Sequence, residues 1–414
     1  MSALAESPAA AETFRPADED GVRDIVRAAV ADEAPLLIEG AGSKRGLGKP
    51  SGGLANARRL SLAECRGVTL YEPEELVLSA RAGTPIAEIE ALLAAHRQRL
   101  EFEPMDLGPL YGEAPGLGTI GGVLACNLAG PRRIARGAAR DHVLGVTAVS
   151  GRGEVFRAGG RVVKNVTGYD LSKGLAGSFG TLAVMTSIIM KVMPDVEAEA
   201  TLVLRGLADD AAAGAMAAAM GSSAEVSGAA HLPYAVAARV AEGSLGRESA
   251  TLIRIEGFGP SVEARAAHLS AGLSRVGRLE RLEGEASRAL WRDVRDVRPF
   301  ADGTDKPVWR LSVAPTRGHE LVMDLRMAAA IDAFYDWQGG LVWLRMEAGQ
   351  PEADLVRQAL GRHGGGHATL IRASEVARAN VPVFEPQADA LARLSKRLKD
   401  QFDPAGILNP GRMG

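Results

Sequence analysis

From Asp18 onward the apolar residues Val22, Ile25, Val26, Ala29 and Val30 recur at helical spacing, and Pro35 ends the run. The Pro-Leu-Leu-Ile-Glu group that follows is too short for a helix and predicts a buried strand. Val68–Tyr71 and Leu76–Arg81 predict two more strands. Thr84-Pro85 then predicts a helix start, with the threonine as cap, the proline at the first position, and Ile86, Ile89, Leu92 and Leu93 as the apolar face. Val143–Ser150 and Thr181–Val192 suit buried strands, and Pro194 closes the second.

Near Asp195–Ala198 the rhythm changes, which predicts a domain boundary. Strand-like Thr251–Glu256, Val308–Val313, Leu341–Met346 and Ala368–Arg372 alternate with helical patterns beginning near Ser261, Arg317 and Glu352. That repetition predicts an α+β unit with an antiparallel sheet. The Ala/Gly/Ser-rich stretch 208–230 reads as helix or loop. The tail from Val383 reads as a helix with Leu391, Leu394 and Leu398, ending in Phe402-Asp-Pro-Ala-Gly-Ile-Leu-Asn-Pro-Gly411.

Composition narrows the class. With 414 residues the chain has room for two or three domains of about 150 residues. Apolar residues make 46% and charged residues 24%, and the net charge of −3 provides no global field for nucleic acid. Two cysteines, Cys65 and Cys126, are too few for a disulfide framework or for an iron–sulfur cluster, which takes about four thiolates. Electrons bound for such a cluster would have to leave for another chain. The first 13 residues lack a basic start and an apolar run, and no stretch reaches the ~20 apolar residues of a membrane span. The expectation is therefore a cytoplasmic protein without a transmembrane segment.

Glycine clusters carry the candidate chemistry. Gly116-Leu-Gly118-Thr-Ile-Gly121 matches the dinucleotide fingerprint by letter, but the fingerprint needs a strand directly before it, and Gly108–Pro115 is turn chemistry. The physical content survives: clustered glycines let backbone N–H groups approach phosphate oxygens. Gly40–Gly46, which contains Lys44 and Arg45, is a second such loop. Either loop alone also reads as a plain tight turn.

Taken in order, five strings give these loops a context: Tyr71–Pro85, Gly121–Arg133, Lys164–Lys173, Gly177–Leu182 and Phe402–Arg412. With them the chain resembles the PCMH-type FAD-binding domain of vanillyl-alcohol oxidase-like flavoproteins, and within it the E-type flavin subunits of bacterial glycolate oxidase. The resemblance implies an α+β fold. Residues 14–195 would form the FAD-binding domain of two small α/β subdomains. Residues 196–372 would form a smaller, ferredoxin-like α+β cap with an antiparallel sheet, and 373–414 a segment returning to the FAD site. It also implies that Gly40, Ala41, Gly42, Ser43, Lys44, Arg45 and Gly46 hold the pyrophosphate together with Gly116, Leu117, Gly118, Thr119, Ile120, Gly121 and Gly122. Ala125, Asn127 and Gly130 would lie behind it, Gly180, Thr181, Leu182 and Val184 would line the adenine side, and Asn409 would lie near the flavin ring. Lys164, Asn165, Tyr169 and Asp170 belong to the hallmark segment, where Asp170 also reads as a helix cap. Relatives attach flavin through His or Cys. The first loop has no His and Cys126 sits among apolar neighbours, so FAD is expected to be non-covalent.

By the same resemblance the reaction is oxidation of a small 2-hydroxy acid, with a larger FAD subunit and an iron–sulfur subunit as partners. Any contact with the inner membrane would run through those partners. Hydride transfer needs a cation for the substrate carboxylate and a base for the hydroxyl proton. Arg310, in Val308-Trp-Arg-Leu-Ser-Val313, is the candidate cation, with an ion pair as its plainer reading. His367 is the candidate group facing the flavin, with a backbone-bonded His at the start of a strand as the alternative. No metal is expected: the His-rich motif of the larger subunits is missing, and glycines 364–366 break any helix between His363 and His367. Arg132, Arg133, Arg136 and Arg140 read as a solvated basic face or a partner's docking point. A relay or assembly subunit without substrate chemistry is the competing reading.

Overall fold

The computed structural model describes residues 12–50, 54, 56–161 and 169–413, so Lys164 and Asn165 lie outside the described residues. Three short parallel strands, β1 (Thr13–Phe14), β2 (Leu36–Glu39) and β3 (Arg58–Ser61), form a sheet in the order β1-β3-β2. The helix Glu19–Ala31, started by Asp18, whose Oδ1 accepts from the Gly21 N–H at 2.9 Å, buries Val22, Val26 and Ala29. A second, antiparallel sheet joins β4 (Val68–Glu72), β5 (Val77–Arg81), β7 (Val143–Ser150), β8 (Val155–Gly159) and β9 (Ala183–Lys191) in the order β4-β5-β9-β7-β8. Between them, β6 (Gln98–Arg99) pairs with β10 (Met193–Pro194). The helix expected after Thr84-Pro85 spans Ile86–Ala95, but Thr84 does not cap it. Its Oγ1 instead donates to Arg81 O at 2.6 Å and accepts from the Gly67 N–H at 2.9 Å, and Pro85 takes the cap position.

The rest of the chain builds one eight-stranded antiparallel sheet from β11 (Ala198–Arg205), β12 (Gly228–Leu232), β13 (Ala250–Gly257), β14 (Arg278–Glu283), β15 (Val308–Ser312), β16 (Ile331–Asp336), β17 (Leu341–Met346) and β18 (His367–Arg372). The order β14-β11-β13-β12-β16-β17-β15-β18 consists of two βαββαβ units laid edge to edge. The ferredoxin-like pattern is thus present twice, and the units meet at the His231–Tyr335 pair of β12 and β16. Along β15 the side chains alternate. Trp309 and Leu311 pack beneath the helices, while Val308 joins the core shared with the first two sheets, as do Phe334, Trp343 and Ile371. Arg310 shares the face of Val308 and points toward the first region.

Of the expected basic face, Arg133, Arg136 and Arg140 are exposed and Arg132 is half-buried. Arg132 is bound to Glu256 at 2.6 Å and to Glu103 at 3.1 Å, Arg136 reaches Glu101 at 2.9 Å, and Arg133 lies over the Trp337 ring. Arg132 and Arg133 thereby join the first region to the second, where buried Glu256 needs a partner. Among the described residues no helix is long and apolar enough to cross a membrane.

Candidate cofactor and substrate site

The chain leaves β2 at Glu39 and turns through Gly40–Gly46. Facing that loop, Thr119 caps the seven-residue helix Ile120–Cys126, with Oγ1 accepting from the Gly122 N–H at 3.2 Å. The Gly40 backbone lies against the Thr119 side chain, and Gly121 lies against Ala82. A Cβ on Gly40 would lie 2.3 Å from Thr119 Oγ1, and one on Gly121 would lie 2.8 Å from the Ala82 carbonyl oxygen. Gly42, at φ +86°, occupies the left-handed region that favours glycine. Lys44 spans the gap: its Nζ is 3.5 Å from where a Gly122 Cβ would stand and 3.8 Å from that of Gly118.

A cavity of about 450 Å³ opens between these bends, within the usual range for small-molecule sites. Of the residues singled out in the sequence, all of Gly40–Gly46 line it, with Thr119, Gly121, Gly122, Ala125, Gly180 and Asn409. The others stand off the lining. Ile120, Leu182 and Val184 belong to the core. The Gly116 N–H is held by Asp106 Oδ2 at 2.7 Å, and Leu117 is exposed. Thr181 Oγ1 donates to Ser178 O. Asn127 ends the helix at φ +51° and accepts from the Arg140 N–H, and the Gly130 carbonyl accepts from Trp337 Nε1 at 3.1 Å, at the contact with the large sheet. Asn409 works as a strap. It accepts from the Ile38 N–H at 2.8 Å and donates to Phe179 O at 2.8 Å, tying the returning tail to β2 and to the turn before β9.

Sequence reading missed most of the site's charge. Arg45 is taken up by a bidentate pair with Glu39 at 2.7 Å, which Arg59 also contacts at 2.8 Å. Burial would raise the Glu39 carboxyl, but these two guanidinium groups hold it below its ordinary range. Lys44, Arg378 and Arg412 have no carboxylate partner among the described residues. Lys44 reaches only Ser43 Oγ at 3.4 Å, Arg378 donates to the Gly48 and Ala373 carbonyls, and Arg412 to those of Lys44 and Arg45. Burial lowers the Arg412 pKa, as expected for a guanidinium lacking a counter-ion. Cys126 is the last helical residue and lines the cavity. Burial raises its thiol pKa against the pull of Lys44 and Arg412, which disfavours the reactive thiolate.

Arg310 lies in a separate cluster between the first region and the large sheet. Its guanidinium stands 5.0 Å over the Trp337 ring, and Arg133 stands 4.5 Å over the same ring. Burial, helped by Arg133 and opposed by Asp336, pushes the Arg310 pKa down to about 10. Burial also pushes the Asp336 carboxyl up to about 7, against the hydrogen bond it accepts from the Trp337 N–H. No carboxylate pairs with Arg310 or Arg133 within ion-pair distance among the described residues. His367 is exposed at the start of β18, opposite Ser312, and lies off the cavity. His363 pairs with Asp324 at 3.2 Å, and among the described residues no group of three His, Cys, Asp or Glu side chains is placed to hold a metal.

A glycine-lined cleft with three unneutralised cations fits a dinucleotide, whose pyrophosphate needs both close backbone approach and positive charge. The comparisons agree. Residues 10–159 match the family model described as FAD binding domain. Glycolate oxidase subunit GlcE of Escherichia coli (strain K12) is 37% identical over 391 residues, covering 94% of this chain and 95% of that one. D-lactate dehydrogenase of Archaeoglobus fulgidus is 30% identical over 196 residues, 46% of this chain and 41% of that one. In structure, 4-ethylphenol oxidase from Gulosibacter chungangensis superposes with a TM-score of 0.71 at 15% identity, over 97% of this chain and 88% of the other, a likeness of fold. The cleft and the end-to-end match to GlcE lead to one conclusion: this chain belongs to the glycolate oxidase subunit GlcE family of FAD-binding flavoproteins.

Proposed function

We propose that the chain is the smaller flavin subunit of a glycolate oxidase, oxidising glycolate to glyoxylate and passing the electrons to a larger FAD subunit and an iron–sulfur subunit. In this reading residues 14–195 form the FAD-binding domain, 196–372 the cap and 373–414 the returning segment. FAD sits non-covalently in the cleft. The observation that carries the reading is the set Lys44, Arg378 and Arg412, three cations on one glycine-lined cavity that have no carboxylate partner among the described residues. When bound, FAD supplies the two-electron acceptor for the hydride from C2. Lys44 and the Gly40–Gly46 amides hold the pyrophosphate, and Arg310 holds the substrate carboxylate. A cytoplasmic location follows, with membrane contact made through partners.

A second reading, an electron relay without substrate chemistry, is favoured by one observation: His367 stands exposed and off the cavity, so it offers no base there. Anaerobic mixing of the isolated, flavin-loaded chain with glycolate separates the two. Bleaching of the flavin band in a single turnover supports the oxidase. No bleaching, with FAD present at one equivalent, supports the relay. Arg310→Ala is expected to keep its FAD and to need at least about tenfold more glycolate for half-maximal reduction, since a charge-assisted hydrogen bond is worth roughly 1.5–3 kcal/mol.

A further inference from the structure

The helix Asp389–Phe402 is unlike any other helix of its length in the protein: none of its residues is buried. It is nevertheless sharply two-sided. Leu391, Leu394, Leu398 and Phe402 fall on one stripe, at intervals of three and four, while Arg393, Lys396, Arg397 and Asp400 fall on the opposite side and flanks. Phe402, the last of the stripe, packs against Phe156 of β8 with ring centroids 5.8 Å apart. The other three are 51%, 59% and 43% exposed. A helix of this length draws most of its stability from burying its apolar face, and here only the final turn does so.

Charge narrows what covers it. Arg397 on the flank of the stripe and Arg393 on the polar side have no ion-pair partner among the described residues, whereas Lys396 is paired with Asp400 at 3.1 Å. The covering segment therefore needs an apolar centre and acidic margins. The GlcE relative is itself named as a subunit, so a second chain belongs to the assembly.

We infer that the Leu391–Leu394–Leu398 stripe docks an apolar, acid-flanked segment of another subunit of the same complex. This rests on the assembly proposed above. The stripe lies apart from the residues assigned to FAD and substrate, so breaking it leaves them intact.

The test compares the full-length wild type with Leu394→Glu and with Arg393→Glu/Arg397→Glu. Each is titrated with the separately produced larger flavin subunit and iron–sulfur subunit in a sedimentation assay. Wild-type binding, weakened at least tenfold in both variants with flavin spectrum and melting temperature unchanged, is the expected result. Partner binding equal in wild type and variants would overturn the surface and leave the assembly standing. No binding by the wild type would overturn both. Three further outcomes would overturn the inference in favour of another occupant: loss of flavin or a lower melting temperature in Leu394→Glu (a segment of this chain), a wild-type dimer that the variant dissociates (a second copy), or wild-type flotation with anionic vesicles that the variant loses (a membrane).

Discussion

Lys44 is a costly residue to leave as it is. Its ammonium faces the amide-rich start of the Ile120–Cys126 helix and is offset by no carboxylate among the described residues. An anion in the cleft offsets it, so Lys44→Ala should weaken FAD binding by about tenfold to a hundredfold, the equivalent of one charge-assisted hydrogen bond. The flavin-free protein should melt unchanged, because among the described residues the side chain's only hydrogen bond is the long one to Ser43. Equilibrium dialysis decides the matter: an unaltered dissociation constant removes Lys44 from the pyrophosphate site. Lys44 was legible because it stands inside a glycine loop, where local sequence declares its surroundings. Arg378 and Arg412 were not. They reach the same cavity from the returning segment, and nothing in Glu375–Asn380 or Gly411–Met413 signals which distant carbonyls will hold them. Asn409 was legible as a residue of interest, yet the structure makes it a strap between β2 and the turn before β9.

Among the elements, the cleft depends on how closely the Gly40 bend meets the Thr119 cap. Gly40→Ala would place a methyl 2.3 Å from Thr119 Oγ1, so the cap must move, with a cost of about 1–3 kcal/mol for overpacking and about 1 kcal/mol for a lost cap. Thr119→Gly makes room and, as a cap, costs only a few tenths of a kcal/mol. The double variant should therefore be more stable in urea than Gly40→Ala alone; strictly additive losses would show that the two bends do not meet. The same scale explains what the hydrophobic pattern left unread in the large sheet. Buried, β-branched runs such as Thr251–Glu256 announced themselves. β12 is Gly-Ala-Ala-His-Leu inside an Ala/Gly-rich stretch, and its residues are all buried, so it shows no alternation. β14 is Arg-Leu-Glu-Arg-Leu-Glu, an edge strand whose two leucines stand three apart and mimic a helix. Without those two strands the first βαββαβ unit cannot be seen in the sequence, and with it the duplication disappears.

Across the whole molecule, a buried ionic network fixes the large sheet to the flavin-binding region. Arg254, on β13, is 1% exposed; it lies over the Trp291 ring and grips Glu103 with two bonds of 2.8 and 2.9 Å. Arg132 adds Glu103 and Glu256, and Arg99 adds Glu256 at 3.0 Å. Burial alone would raise the Glu103 carboxyl, yet Arg132 and Arg254 draw it down to about 2. Such a pair contributes orientation more than stability, but removing Arg254 leaves Glu103 with Arg132 as its remaining cation. Arg254→Met is expected to lose about 1.5–3 kcal/mol in urea unfolding, the worth of hydrogen bonds to a charged group, and Glu103→Gln/Arg254→Met to recover part of it, since the carboxylate short of a partner is gone. The network also sets a pH dependence. Because Glu103 is depressed in the folded state relative to its ordinary 4.5, its contribution is present above pH 4.5 and drains away as the pH falls toward 2. Between those limits the wild type should lose stability more steeply than Arg254→Met, whose Glu103 keeps fewer cations. If the two unfold in parallel from pH 5 to pH 2.5, Glu103 does not draw its depressed pKa from Arg254, and the two parts of the molecule are held by their apolar contacts instead.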